Sequence, residues 1–270
     1  MGWHIGGVEL DSRFFLGTAG YPSPAVLQQA IAASGAQVVT VGLKRQLAAT
    51  AHTAPSTAHT PVTQPGSFYA MIRASGAHLL PNTAGCRTAR EAVALAHMAR
   101  ELFGTHWIKL EVVGDEHTLQ PDPFELIPAA AKLVREGFEV FPYCTDDLVT
   151  CQRLLDAGYR VLMPWGAPIG SGQGLLNPWA LRTLRERLPD VPLIVDAGIG
   201  SPAHAVQAME LGFDAVLLNS AVAQAHNPVA MAQAFRWGIQ AGRLAWEAGV
   251  MAPQPMAVAS TPVSGRPFLL

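Results

Sequence analysis

The chain has 270 residues, 50% of them hydrophobic and 14% charged, with a formal net charge of −2. That balance leaves no electrostatic footprint for nucleic acid or an anionic membrane surface, and no run of about 18 apolar residues lacks charges or helix breakers, which argues against a membrane span. The cysteines, Cys86, Cys144 and Cys151, form an odd set without CxxC spacing, so a disulfide framework and a zinc ribbon are disfavoured and a reducing cytoplasm is expected.

The opening "MGWHIGGVELDSR" has neither a basic n-region nor an apolar h-region, so no secretory signal is read there, and Gly6 stands where a myristoylation motif requires Ser or Thr. Strand-then-helix units follow. Strands are predicted near 14–19, 37–43, 78–82, 107–113, 139–144, 160–166, 192–198 and 215–220. Helices are predicted near 24–34, 66–75, 88–102, 122–136, 146–156, 177–188, 202–211 and 228–248. Gly35, Gly76, Gly137, Gly158 and Gly212 each end an Ala- and Leu-rich stretch and lead into an apolar run, as a left-handed helix C′ residue does. Alternating strands and helices imply parallel βαβ units. Eight of them predict a closed (β/α)8 TIM barrel of the α/β class, a size of about 250 residues being usual for one such domain. The barrel is expected over residues 1–250, with a flexible C-terminal tail over 251–270. An open doubly wound sheet is the alternative and typically uses fewer strands.

Residues 44–65, rich in Ala, Thr, Pro and His, are too long for an ordinary connection after the second strand and predict a lid or a disordered loop. His52 and His59 lie there without a ligand spacing, so no metal is assigned.

In "THWIKLEVVGD", residues 105–115, Ile108, Leu110 and Val112 alternate with Lys109 and Glu111. In a barrel the first set faces the helices and the two charges face the lumen. An ammonium there must be paired or partly neutral. Either it belongs to a structural ion pair, or desolvation lowers its pKa and makes it an amine able to form a Schiff base. Only three of the 18 basic side chains are lysines, Lys44, Lys109 and Lys132. Lysine within a strand therefore suggests an amine that must lose its proton, which arginine cannot do.

Further along, "GAPIGSGQG" supplies a glycine-rich loop that includes Gly170. "VPLIVDAGIGSP" carries Asp196 at the C-terminal end of the seventh strand, where barrel enzymes place catalytic groups. The turn Ala197-Gly198-Ile199-Gly200 exposes backbone N–H groups before a helix, which suits a phosphate. Asn219 and Ser220 add short polar groups after the eighth strand, so these loops converge on the usual barrel phosphate site.

The stretches "LLPNTAGCRTAREAVALA", "WIKLEVVGD", "PDPFELIPAA", "EVFPYCTDD", "MPWGAPIGSGQGLLNP", "VDAGIG" and "DAVLLNSA" resemble bacterial thiazole synthases of thiamine biosynthesis. The resemblance runs over about residues 78–225. It implies a reaction among 1-deoxy-D-xylulose 5-phosphate, a glycine-derived imine and a thiocarboxylated sulfur-carrier protein, without metal or other cofactor. It implies a homo-oligomer as well. On this resemblance Lys109 is the imine-forming lysine, Glu111 and Asp196 are the acid/base carboxylates, and Gly170, Ala197, Gly198, Asn219 and Ser220 contact substrate. The family's frequent "GTGKY" is replaced by Gly17-Thr18-Ala19-Gly20-Tyr21, and the 44–65 segment differs from the family's acidic-glycine loop. A Schiff-base sugar-phosphate aldolase and a catalytically silent binding barrel are the rival readings.

Overall fold

The computed structural model describes residues 2–44 and 68–260. It opens on an antiparallel hairpin of β1 (Trp3–Ile5) and β2 (Val8–Leu10), turned by Gly6 and Gly7 at φ 55° and 77°. A two-residue turn with both central residues at positive φ matches the twist of the flanking strands, and glycine adopts it without a Cβ clash. No strand is predicted before residue 14, although the Gly-Gly between two short β-prone runs is a usable hairpin signal.

Eight parallel strands follow: β3 (Phe14–Gly17), β4 (Val38–Gly42), β5 (His78–Asn82), β6 (Trp107–Leu110), β7 (Glu139–Cys144), β8 (Met163–Pro164), β9 (Ile194–Asp196) and β10 (Ala215–Leu218). Their order is β8-β7-β6-β5-β4-β3-β10-β9. Parallel bridges from Leu162 to Leu193 and from Trp165 to Asp196 join the two ends, so the predicted barrel is the fold. The predicted strands 160–166 and 192–198 are shorter than expected. Ala197 and Gly198 sit at φ 68° and 76°, a left-handed conformation that ends a ladder, and the Gly166 N–H turns back onto the carbonyl oxygens of Asp196 and Ala197.

Nine helices occur among the described residues: α1 (Pro24–Ser34), α2 (Phe68–Ala74), α3 (Ala89–Phe103), α4 (Pro123–Arg135), α5 (Leu148–Asp156), α6 (Pro178–Arg187), α7 (Pro202–Glu210), the short α8 (Ser220–Ala223) and α9 (Pro228–Ala248). Ser23, Thr88, Asp122, Asp147, Asn177 and Asn227 accept N–H groups from the first turns of their helices, and α1, α4, α6, α7 and α9 start on proline. Both devices use the orphan donors of a helix start. The long connection expected over 44–65 lies, apart from Lys44, outside the described residues. Residues 249–260 carry no helix or strand and are exposed, and 261–270 also lie outside the described residues.

Ile108, Leu110 and Val112 pack into the layer between strands and helices, as the alternation predicts. The lower lumen is apolar, with Phe15, Val38, Leu80, Trp107, Phe141 and Ile194 packed on Trp3, Ile5 and Leu10 of the hairpin. The Trp107 indole N–H donates to the Gly6 carbonyl at 3.3 Å. The hairpin thus stoppers the N-terminal end of the barrel, leaving the opposite end for chemistry.

Candidate active site

At that opposite end, a cavity of about 910 Å³ is lined by Lys109, Glu111, Asp196 and the predicted glycine loops. Lys109 projects inward near the end of β6, with Glu111 one lumen position beyond it. Lys109 Nζ lies 3.1 Å from Glu111 Oε1 and 2.6 Å from Asp196 Oδ2, the three side chains being 6%, 6% and 2% exposed. The bridge between Trp165 and Asp196 is what brings the end of β9 to this position. Residues separated by 85 and 87 positions in sequence therefore form one contact triad.

Other groups brace the triad. The Thr83 hydroxyl donates to the Glu111 carbonyl and accepts from the Glu111 N–H, both at 2.8 Å, while the Thr83 N–H donates to the Lys109 carbonyl at 3.1 Å. The Tyr143 ring centroid lies 5.5 Å from Lys109 Nζ, within cation–π range. Neither residue is singled out by the sequence. Thr83 sits in the polar "PNTAG" that ends β5, a recognisable strand-top signal, whereas Tyr143 reads as ordinary core until the barrel closes.

Two carboxylates face one ammonium, and this decides the electrostatics. Burial alone would lower the Lys109 pKa, but Asp196 and Glu111 outweigh it and hold the ammonium above its ordinary range. The expectation of a lysine depressed by desolvation is corrected here, because the lysine is buried together with two counter-charges rather than alone. Burial pushes the Asp196 carboxyl up to about 6, Glu111 adds to the rise, and Lys109 and the Ala197 N–H oppose it. The resting site is a protonated amine in contact with a carboxylate of unusually high proton affinity. Such a pair can release the amine as a nucleophile by handing its proton sideways.

The predicted anion-binding residues surround this triad. Gly170, Ala197, Gly198, Gly200, Asn219 and Ser220 all line the cavity. A Cβ on Gly198 would collide with Ala167, and one on Gly200 with the Gly172 carbonyl, so these loops pack at backbone distance. The N–H groups of Gly170, Gly198 and Ser220 have no partner among the described residues. The Gly200 N–H differs: it donates to His204 Nδ1 at 3.2 Å, so it is already engaged within the protein. Asn219 Nδ2 donates to the Ala19 carbonyl at 2.9 Å, leaving its buried Oδ1 without a partner. Lys44 lines the same mouth and donates from Nζ to the Gly85 carbonyl at 2.6 Å. No cluster of His, Cys, Asp or Glu able to hold a metal occurs among the described residues.

Comparison with known proteins gives a consistent result. The family model described as "Thiazole biosynthesis protein ThiG" matches residues 4–262. The thiazole synthase of Coxiella burnetii (strain RSA 493 / Nine Mile phase I) is 57% identical over 268 residues, covering 99% of this chain and 98% of that protein. The thiazole synthase of Brucella abortus (strain S19) is also 57% identical, over 263 residues, covering 97% and 98%. Among solved structures, the Amycolatopsis orientalis BexX/CysO complex matches with a TM-score of 0.76 and 32% identity, covering 95% of this chain and 98% of that one. A native KDPGal structure matches at TM-score 0.57 and 19% identity, which reflects the shared fold alone.

Proposed function

Because the chain belongs to the thiazole biosynthesis family ThiG, whose curated relatives are thiazole synthases, we propose that it condenses 1-deoxy-D-xylulose 5-phosphate, a glycine-derived imine and sulfur from a thiocarboxylated carrier protein into the thiazole phosphate of thiamine. The observation that carries the reading is the buried triad of Lys109, Glu111 and Asp196 at the cavity floor. Lys109 passes its proton to a neighbouring carboxylate, the free amine adds to the sugar ketone, and loss of water leaves the imine. The positive charge of the protonated imine acidifies the adjacent C–H bonds. Glu111 and Asp196 then move protons through tautomerisation, sulfur addition and dehydration, a contribution of about 10²- to 10⁴-fold for a positioned acid/base. The N–H groups of Gly170, Gly198 and Ser220 hold the phosphate and fix the ketone against the amine. Gly200 shapes the loop rather than binding through its own N–H.

A protein sulfur donor is supported by the BexX relative, solved in complex with CysO. It is also supported by three successive helices that begin at the mouth end of the barrel: Phe124, Val149 and Trp179, each the second residue of its helix, are 82%, 55% and 74% exposed. Exposed Trp237 and Leu244 on α9 support a homo-oligomer as the working unit. The aldolase reading lacks such support, since the matching aldolase structure shares the fold at 17% identity.

The test is borohydride reduction after incubation with 1-deoxy-D-xylulose 5-phosphate, with the adduct mapped by mass spectrometry. An adduct on Lys109, absent in Lys109→Ala, is expected. An adduct that survives in Lys109→Ala would remove the mechanism. Trp179→Ala should slow thiazole formation with the carrier supplied while leaving imine trapping unchanged, which separates docking from chemistry.

A further inference from the structure

Charge is unevenly spread around the cavity. Its floor sets one ammonium, Lys109, against two carboxylates, Glu111 and Asp196. The loops after β8, β9 and β10 line one side with uncharged N–H groups. Across the ring from them lie β4 and β5. There Gly42 pairs with Asn82, and Asn82 with Lys109, so this wall adjoins the reacting amine. Lys44 stands at its rim, two residues beyond the end of β4. Lys44 and Lys109 are the only cationic side chains that line the cavity among the described residues. Lys44 has no carboxylate partner there. Its Nζ donates to the Gly85 carbonyl at 2.6 Å, and its stem runs along the Gly85 loop, where a Cβ would stand 3.7 Å from Lys44 Cδ. An ammonium has three donors, so the Gly85 contact holds the charge over the cavity and leaves donors for a ligand.

We propose that Lys44 holds the carboxylate of the glycine-derived imine, an inference that rests on the thiazole-forming reading of the same site. The sugar phosphate, anchored at the β8–β10 loops and joined to Lys109, takes one side of the ring and leaves the β4–β5 wall for the smaller reactant. That reactant is itself an anion. It must approach a floor where two carboxylates face one ammonium, with a phosphate already bound opposite. Like charges brought together in this way repel, and a cation on the free wall offsets the repulsion. A charge-assisted hydrogen bond from Lys44 also fixes which end of the imine points away from the sugar. Lysine suits a reactant that must enter and leave, being a compact charge on a flexible stem rather than a rigid fork. The thiocarboxylate of the carrier bears the same charge, so the test must separate the two.

Glyoxylate with ammonium is the probe, since the two condense to that imine, and glyoxylamide with ammonium gives an uncharged analogue. With 1-deoxy-D-xylulose 5-phosphate and thiocarboxylated carrier supplied, the native chain should favour the charged imine in kcat/KM for thiazole formation. Lys44→Met should cut that preference by about 10-fold or more, and Lys44→Arg, which keeps the charge, should retain most of it. Lys44 is exposed, so melting should be unchanged in both variants. Borohydride trapping at Lys109 and the KM for the carrier should also hold. A preference that survives in Lys44→Met would overturn the proposal. Weakened trapping would overturn it by giving Lys44 to the phosphate, and a raised carrier KM by giving it to the thiocarboxylate. A native chain that forms neither the Lys109 adduct nor thiazole would overturn the underlying reading and this inference with it. Normal thiazole formation with an unchanged preference would overturn the inference alone.

Discussion

Asp196 shows how a single residue carries both chemistry and a cost in stability. Its carboxyl, raised from 3.8 to about 6 chiefly by burial, holds a proton in the native state at pH values where the unfolded chain has released it. That group's contribution therefore favours folding fully below about pH 4 and fades as pH rises through about 6. Catalysis runs the other way, since only the ionised carboxylate can take the Lys109 proton. Imine formation should rise with pH through an inflection near 6, and Asp196→Asn should abolish the inflection and slow the step by about 10²-fold or more; stopped-flow trapping across pH reads both. The measured inflection belongs to the coupled triad as a whole. Lys109→Ala leaves two buried carboxylates facing each other, so it should lower unfolding free energy by about 3–5 kcal/mol at neutral pH. Part of that loss should return in acid, where the pair shares a proton, as urea denaturation at pH 5 and 7 would show. Comparing Glu111→Gln for imine formation and for turnover would reveal whether that residue mainly positions Lys109 or mainly moves protons.

Among the elements, the loop after β9 departs from regular backbone geometry beside the site. Ala197 adopts φ 68° without being glycine, directly beside Asp196, a conformation that costs on the order of 1 kcal/mol and persists where surrounding contacts impose it. Gly198 follows at φ 76° with no space for a Cβ. Gly198→Ala should lower stability by about 2 kcal/mol or more and should reduce imine formation far more than that loss explains, because Asp196 and the free N–H move together. Thermal melting against trapping rate separates the two effects. Part of this loop was legible in sequence, since "VDAGIGSP" reads as strand, turn and helix start. The engagement of the Gly200 N–H by His204 was not, because His204 belongs to the following helix and its ring orientation depends on Gly174, against which it packs.

For the molecule as a whole, the hairpin and the barrel divide labour between two ends. Trp3 is 8% exposed and packs within the lumen floor beside Phe15, so Trp3→Ala should cost about 3 kcal/mol or more in urea denaturation while leaving Lys109 trapping intact, the triad being at the other end. Strand and helix alternation, capping residues and glycine stops were all local signals, and they determined the eight-unit barrel and the inward direction of Lys109 and Glu111 without any tertiary information. Strand periodicity sets which face a side chain takes, and that is a property of neighbouring residues. What the sequence alone could not decide was distance and charge balance. Only barrel closure brings Asp196 to Lys109 across 87 residues, and only then do two carboxylates outweigh desolvation and reverse the expected shift of the lysine. The packing of the closed ring likewise decided which N–H groups stay free for an anion and which face of α9 is left over, because both depend on what the rest of the chain has already covered.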